Sequence, residues 1–231
     1  MLACPVCGHS NDDLSVVCVS CKAYLQAKVD TLDLFHTIWG LMEAPAATMR
    51  KIVIARQKNY VIFLSCLFGI ALAYCLIWYR GLGTLIGFGP ALALGVVAGP
   101  LLGLVAVVLI GLFLMLVSRI LGGHATLRET VSVVAYALVP VVLSLVMVFP
   151  VEIAVFGQYL FDPNPPPLVM NPPAYIGLLS LDAIAVVWSW GLLLVGTRVA
   201  QRLSRVRAFL SAVAFPILAA AAAALGMRLV P

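Results

Sequence analysis

Five long runs of apolar residues decide what this chain can become. Tyr60–Tyr79 is 20 residues without a charge, and Gly81–Ser118 is 38. Val131–Phe149 is 19, Tyr175–Thr197 is 23 with a single charge at Asp182, and Ala208–Met227 is 20. A membrane-crossing helix needs about 20 predominantly apolar residues at about 1.5 Å rise each. A membrane β-strand would instead alternate polar and apolar positions over about 10 residues. The fold class expected is therefore an all-α membrane protein, a bundle of five transmembrane helices. The spans are expected near 60–79, 90–117, 131–149, 175–197 and 208–227, with Pro90 opening the second. Composition agrees: 64% of the 231 residues are hydrophobic and only 10% charged, against about 25% charged in a soluble domain.

The charges that do occur are unevenly spread. Residues 1–58 hold 11 of them, and the 173 residues that follow hold 12. The chain thus divides into a polar head over 1–28, an amphipathic juxtamembrane segment over 29–59 and a membrane domain over 60–231. Residues 1–30 contain four cysteines and several acids but no apolar core segment, so a cleaved signal peptide is not expected. Basic residues set orientation. Lys22, Lys28, Arg50, Lys51, Arg56 and Lys58 precede the first span. Arg119 and Arg128 follow the second, and Arg198, Arg202, Arg205 and Arg207 follow the fourth. The opposite side holds only Arg80 and Arg228. This bias predicts a cytoplasmic N-terminus and an outside C-terminus.

The head carries two C-x2-C pairs, Cys4-Pro-Val-Cys7 and Cys18-Val-Ser-Cys21, ten residues apart. Two such knuckles can surround one tetrahedral ion with four thiolates. Gly8 follows the first pair, where the knuckle turn needs a permissive backbone. A redox C-x2-C pair or two disulfides are the other readings. A redox motif needs only one pair, and disulfides need an oxidising compartment, whereas the charge bias puts this head inside. Structural Zn2+ held by Cys4, Cys7, Cys18 and Cys21 is therefore the expected cofactor. With all four positions filled, none stays open for catalysis. His9 reads as a turn residue beside the knuckle. No Lys or Arg lies between Cys4 and Cys21 to neutralise phosphates, which argues against nucleic acid as a partner.

Between head and first span, Leu34, Phe35, Ile38, Trp39, Leu41 and Met42 recur at helical spacing. Pro45 interrupts them, and Ala46–Asn59 offers a second helix. Two helices lying on the inner face are expected, with Arg50, Lys51, Arg56 and Lys58 turned to anionic headgroups. Gly95, Gly99 and Gly103 form a small-residue stripe for close helix packing, within the bundle or in a homo-oligomer. Pro100 and Pro140 are expected to kink their spans. Cys66 and Cys75 read as small packing residues. Prolines 163, 165, 166, 167, 172 and 173 are expected to preclude a helix from Pro163 to Pro173. Residues 151–161 form either a short interfacial helix or a continuation of the third span past Pro150.

Asp182 stands out as an acid well inside a span. Charge there costs at least ~2.5 kcal/mol, so it is a candidate functional residue. No nucleophile–base pair, catalytic zinc motif or nucleotide loop is visible, and the chain is not expected to be an enzyme.

The stretch from the second span into the third, Gly122-Gly123-His124-Ala125-Thr126-Leu127-Arg128-Glu129-Thr130, leads into Tyr136-Ala137-Leu138-Val139-Pro140. A glycine pair, a small polar turn and a Thr followed by Tyr-Ala-x-x-Pro resembles the Yip family, the five-span membrane proteins named for interacting with Ypt/Rab GTPases. Trp39–Met49, with Pro45 and Thr48 ahead of the first span, looks like the family's entry. The cysteine head lies outside the eukaryotic pattern and looks like that of a bacterial or archaeal member. The resemblance implies an integral scaffold or membrane-organising protein of a prokaryotic cell membrane, with the bilayer and head-bound proteins as partners. The alternative is a small-solute or lipid transporter using Asp182 and the helix bundle.

Overall fold

The computed structural model describes residues 2–26, 31–162 and 164–214. A short ladder pairs β1 (Leu2–Ala3) antiparallel to β2 (Ser10–Asn11). Two ten-residue helices follow, α1 (Leu34–Glu43) and α2 (Pro45–Ile54). The membrane body then contains α3 (Val61–Arg80), α4 (Leu82–Ile86), α5 (Phe88–Ile120), α6 (Leu127–Ala137), α7 (Val139–Met147) and α8 (Phe149–Phe156). A 3-10 turn (Gly157–Leu160), α9 (Pro167–Met170) and α10 (Pro172–Gln201) complete it. Residues 205–214 are helical again. Among the described residues, four helical stretches are long and apolar enough to cross a membrane: Val61–Arg80, Phe88–Ile120, Leu127–Leu160 and Pro172–Gln201. Most of the fifth expected span, 208–227, lies outside the described residues.

The tightest packing joins α3 to α5, and glycine makes it possible. A Cβ on Gly69 would lie 2.0 Å from the Gly99 carbonyl oxygen, and one on Gly103 would lie 2.0 Å from that of Ser65. The two backbones meet where no side chain intervenes, which is how small-residue stripes join helices when lipid supplies no hydrophobic drive. One turn away, the Tyr74 ring fills the space over Gly95 and donates to the Leu92 carbonyl at 3.1 Å. The glycine stripe is thus spent inside the bundle.

Proline shapes the second, third and fourth spans in different ways. Pro100 sits within α5 without ending it. Pro140 opens α7, and the chain breaks at Leu138; Pro150 likewise opens α8. The third span therefore continues past Pro150, as three stacked helical segments. Helices also occur inside the segment from Pro163 to Pro173, contrary to expectation: Pro167 starts α9 and Pro172 starts α10. The reason is positional. A proline in the first turn of a helix loses no hydrogen bond, because that N–H has no intrahelical partner anyway. Asn171 caps α10 by accepting from the Ala174 N–H.

Helices α1 and α2 also differ from two rods lying on lipid. On α2, Thr48, Met49, Ile52 and Val53 are buried against α6 and α10. Their core joins Leu41, Leu64, Val133, Tyr136 and Leu192. Two of the expected lipid-facing cations turn inward. Arg50 donates to the Asp13 carbonyl, and Lys58 donates to the Ile52 and Val53 carbonyls that end α2. Burial pulls the Lys58 ammonium down to about 8, with Glu129 opposing and Arg128 reinforcing the shift. Helix α1 keeps an outward apolar face of Phe35, Trp39 and Met42, spaced for one side of a helix.

A polar knot fastens the end of α10 to the loop between α5 and α6. Gln201 is fully buried. Its Oε1 accepts from the Ala125 N–H at 3.0 Å, and its Nε2 donates to Thr130 Oγ1 at 3.1 Å. Thr126 and Glu129 close a capping box at the start of α6, which fixes that loop. Gln201→Leu strands the Ala125 N–H, while Thr130 keeps its bond to the Thr126 carbonyl. It is expected to cost on the order of 1–3 kcal/mol, read as a lower unfolding temperature in detergent. Gln57→Leu, at an exposed position, should leave that temperature unchanged.

Candidate metal centre and intramembrane carboxyl pair

The two cysteine pairs are built as near copies. In the first knuckle the Cys4 N–H donates to the His9 carbonyl, and the Gly8 N–H donates to that of Cys4, both at 2.9 Å. In the second, the Cys18 N–H donates to the Ala23 carbonyl at 2.8 Å and the Lys22 N–H to that of Cys18 at 3.1 Å. The fifth residue of each turn is left-handed, with φ of 68° at Gly8 and 62° at Lys22. Glycine takes that conformation freely; lysine does not. The β1–β2 ladder closes the base of the first turn and a Val17–Tyr24 bridge that of the second.

The result brings the Sγ atoms of Cys4, Cys7, Cys18 and Cys21 within 4.8 Å of one another. Cys4 and Cys21 approach to 3.5 Å, Cys7 and Cys18 to 3.6 Å. Four thiolates about 2.3 Å from a central tetrahedral ion would stand about 3.8 Å apart, so the cluster can hold a metal ion. Its bare electrostatics point the same way. The Cys7 backbone N–H, partly opposed by burial, leads a downward shift of Cys4. The Cys21 N–H leads one that takes Cys18 to about 6. At Cys21 the Ala23 N–H also lowers the pKa, but burial and the neighbouring sulfurs outweigh it and push this thiol to about 12. Crowded thiols resist ionising together, and a doubly charged cation removes that conflict.

Asn11 supports the cluster in a way the spacing of cysteines did not disclose. Its side chain is buried, donates to the His9 carbonyl at 2.8 Å and to Cys18 Sγ at 3.5 Å, and accepts from the Val19 N–H at 2.9 Å. A single Asn between two knuckles gives no periodic signal. His9 contributes its carbonyl. The head also touches the membrane body: Asp12 pairs with Arg202, Arg50 with the Asp13 carbonyl, and Leu14 packs on the main core.

Asp182 lies elsewhere, on α10 and half-buried. Ser144 of α7 donates to its Oδ1. Glu152 of α8 comes within side-chain hydrogen-bonding reach of it. Asp182 is thus not a solitary acid, and Glu152 is the residue that sequence reasoning passed over. Ser144 and Glu152 are eight positions apart, a spacing that keeps one helical face, but the Pro150 break hid the continuity. All three line a cavity of about 530 Å³ between α3, α7, α8 and α10. Further along α10, Ser189 and Trp190 line the same cavity, and their buried Oγ and Nε1 atoms have no hydrogen-bond partner.

The four apolar helical stretches, the cysteine cluster and the polar loop joining α5 to α6 now stand together. Neither a curated protein nor a solved structure matches the chain. A family model does: the Yip1 domain aligns with residues 39–226, from within α1 to beyond the last described helix. Trp39, Pro45, Thr126 and Tyr136, which suggested the likeness, all fall inside that range, and the chain belongs to the Yip1 domain family of membrane proteins.

Proposed function

We propose that this chain is a non-enzymatic membrane-organising scaffold whose head is a zinc ribbon that recruits protein partners at the cytoplasmic face. The observation that carries the reading is the four-sulfur cluster, with spacings that suit Zn2+. Zinc would stabilise the head and supply no reaction there, since four cysteines leave no ligand position open. Val6 and Val19, at the tips of the two knuckles, stand 72% and 68% exposed, apolar points available to a partner. The contacts Arg202–Asp12, Arg50–Asp13, Arg128–Arg56 and Arg207–Leu121 gather the head and the basic loops on one face of the bundle. That supports a cytoplasmic N-terminus. A full-length bait should retrieve partners that a chain lacking residues 1–30 does not. An identical partner set from both baits would sink the recruitment reading.

A second reading, handling of a small solute or lipid, is favoured by the cavity around Asp182. Asp182→Asn should then slow flux into reconstituted vesicles. Flux equal to that of the wild type, or none in the wild type, would count against it.

A further inference from the structure

The cavity between α3, α7, α8 and α10 is apolar except at two places. At the first, the carboxyl groups of Glu152 and Asp182 meet beside the Ser144 hydroxyl. Among the described residues lining the cavity there is no Lys, Arg or His to balance these two acids. The second place is about two helical turns along α10, on the same face and about 10 Å away. There Ser189 is only 5% exposed, and its hydroxyl, like the Trp190 indole N–H, has no partner. A buried donor without an acceptor is costly and calls for an occupant. The space, about 530 Å³, falls in the range of small-molecule sites, about 300–1,000 Å³.

We propose that this cavity binds a cationic amphiphile. Its cationic group sits against Glu152 and Asp182, and its apolar body lies along the wall toward Ser189 and Trp190. A cationic group balances acids that no neighbouring side chain balances, and the apolar lining excludes hydrated inorganic ions. This rests on the second reading above and names its ligand class.

The test uses the full-length chain in phosphatidylcholine nanodiscs with radiolabelled tetraphenylphosphonium, a permanent lipophilic cation. Saturable binding near one per chain is expected. Asp182→Asn and Glu152→Gln should each weaken it by about tenfold or more, as removal of a desolvated charge partner does. Ser189→Phe fills the cavity without touching either carboxyl group and should abolish binding; Val186→Phe, also on the wall, serves the same purpose should the first fail to fold. Each variant is checked by size exclusion and thermal unfolding. The proposal is overturned if the wild type binds no more than empty nanodiscs. It is equally overturned if well-folded Asp182→Asn and Ser189→Phe proteins bind like the wild type. Absent binding with flux still sensitive to Asp182→Asn would sink this ligand class and leave the second reading standing.

Discussion

Replacing Cys4 and Cys7 together by serine is expected to reduce the metal content of the purified protein from one ion per chain to none and to unfold residues 2–26. The head has a two-residue ladder, one isolated bridge and two knuckles. So few residues cannot bury a core of their own, and metal binding supplies the folding free energy instead, on the order of 10 kcal/mol or more for structural zinc. The loss should be confined to the head. Its links to the body are the exposed Asp12–Arg202 pair, one bond from Arg50 and the packing of Leu14. An exposed pair of that kind contributes about 0–1 kcal/mol. The measurements are elemental analysis and proteolysis of the detergent-purified protein. Zinc retained in the double variant, or a head that stays protease-resistant without metal, would refute the expectation.

The second large effect belongs to the α3–α5 seam. Gly103→Ala puts a methyl group 2.0 Å from the Ser65 carbonyl oxygen, and Gly69→Ala puts one 2.0 Å from that of Gly99. Backbone, not a flexible side chain, stands in the way, so the helices must move apart along their length. Overpacking of a well-fitted contact costs about 1–3 kcal/mol and occasionally more. The upper end is expected here, because losing the close approach also loses the dispersion contacts that hold helices together in lipid. Either variant should unfold at a clearly lower temperature and yield less monodisperse protein. Gly191→Ala and Gly177→Ala on α10, where an added Cβ meets nothing within 4 Å, should be neutral or mildly stabilising. Equal unfolding temperatures for Gly103→Ala and Gly191→Ala would show that the seam is not a close backbone contact.

Much of this architecture was legible in the residues, for reasons that can be stated. Uncharged runs announce spans because hydrocarbon tolerates few alternatives. Paired C-x2-C motifs announce a cluster because four ligands at fixed spacing have few other uses. The Gly95–Gly99–Gly103 stripe announced close packing, but not which helix would meet it, since Gly69 on α3 is isolated in sequence. Proline misled in one direction. Pro167 and Pro172 looked like breaks, and each opens a helix; the same residue type ends one helix and starts the next, and local sequence does not say which. At Pro150 the sequence left two courses open, and only a third span continued past it brings Glu152 to Asp182. The amphipathic pattern of α2 revealed that one face would be buried, but not whether protein or lipid would cover it. Gln201 and Asn11 work through contacts with residues distant in sequence or with single backbone groups, and such contacts leave no period to read.

Helix lengths in the seam carry a consequence for the bilayer itself. Helix α3 has 20 residues and α5 has 33, so they measure about 30 Å and about 50 Å. The hydrocarbon core is about 30 Å thick. One helix matches it and its partner overshoots it, yet the glycine contacts forbid them to tilt independently. The pair therefore meets the membrane as a rigid wedge, with hydrophobic mismatch concentrated on one flank. A stretch longer than the hydrocarbon core is accommodated by tilt, by a kink or by local thickening of the bilayer, so the mismatch falls on the α5 side of the pair and not on the α3 side.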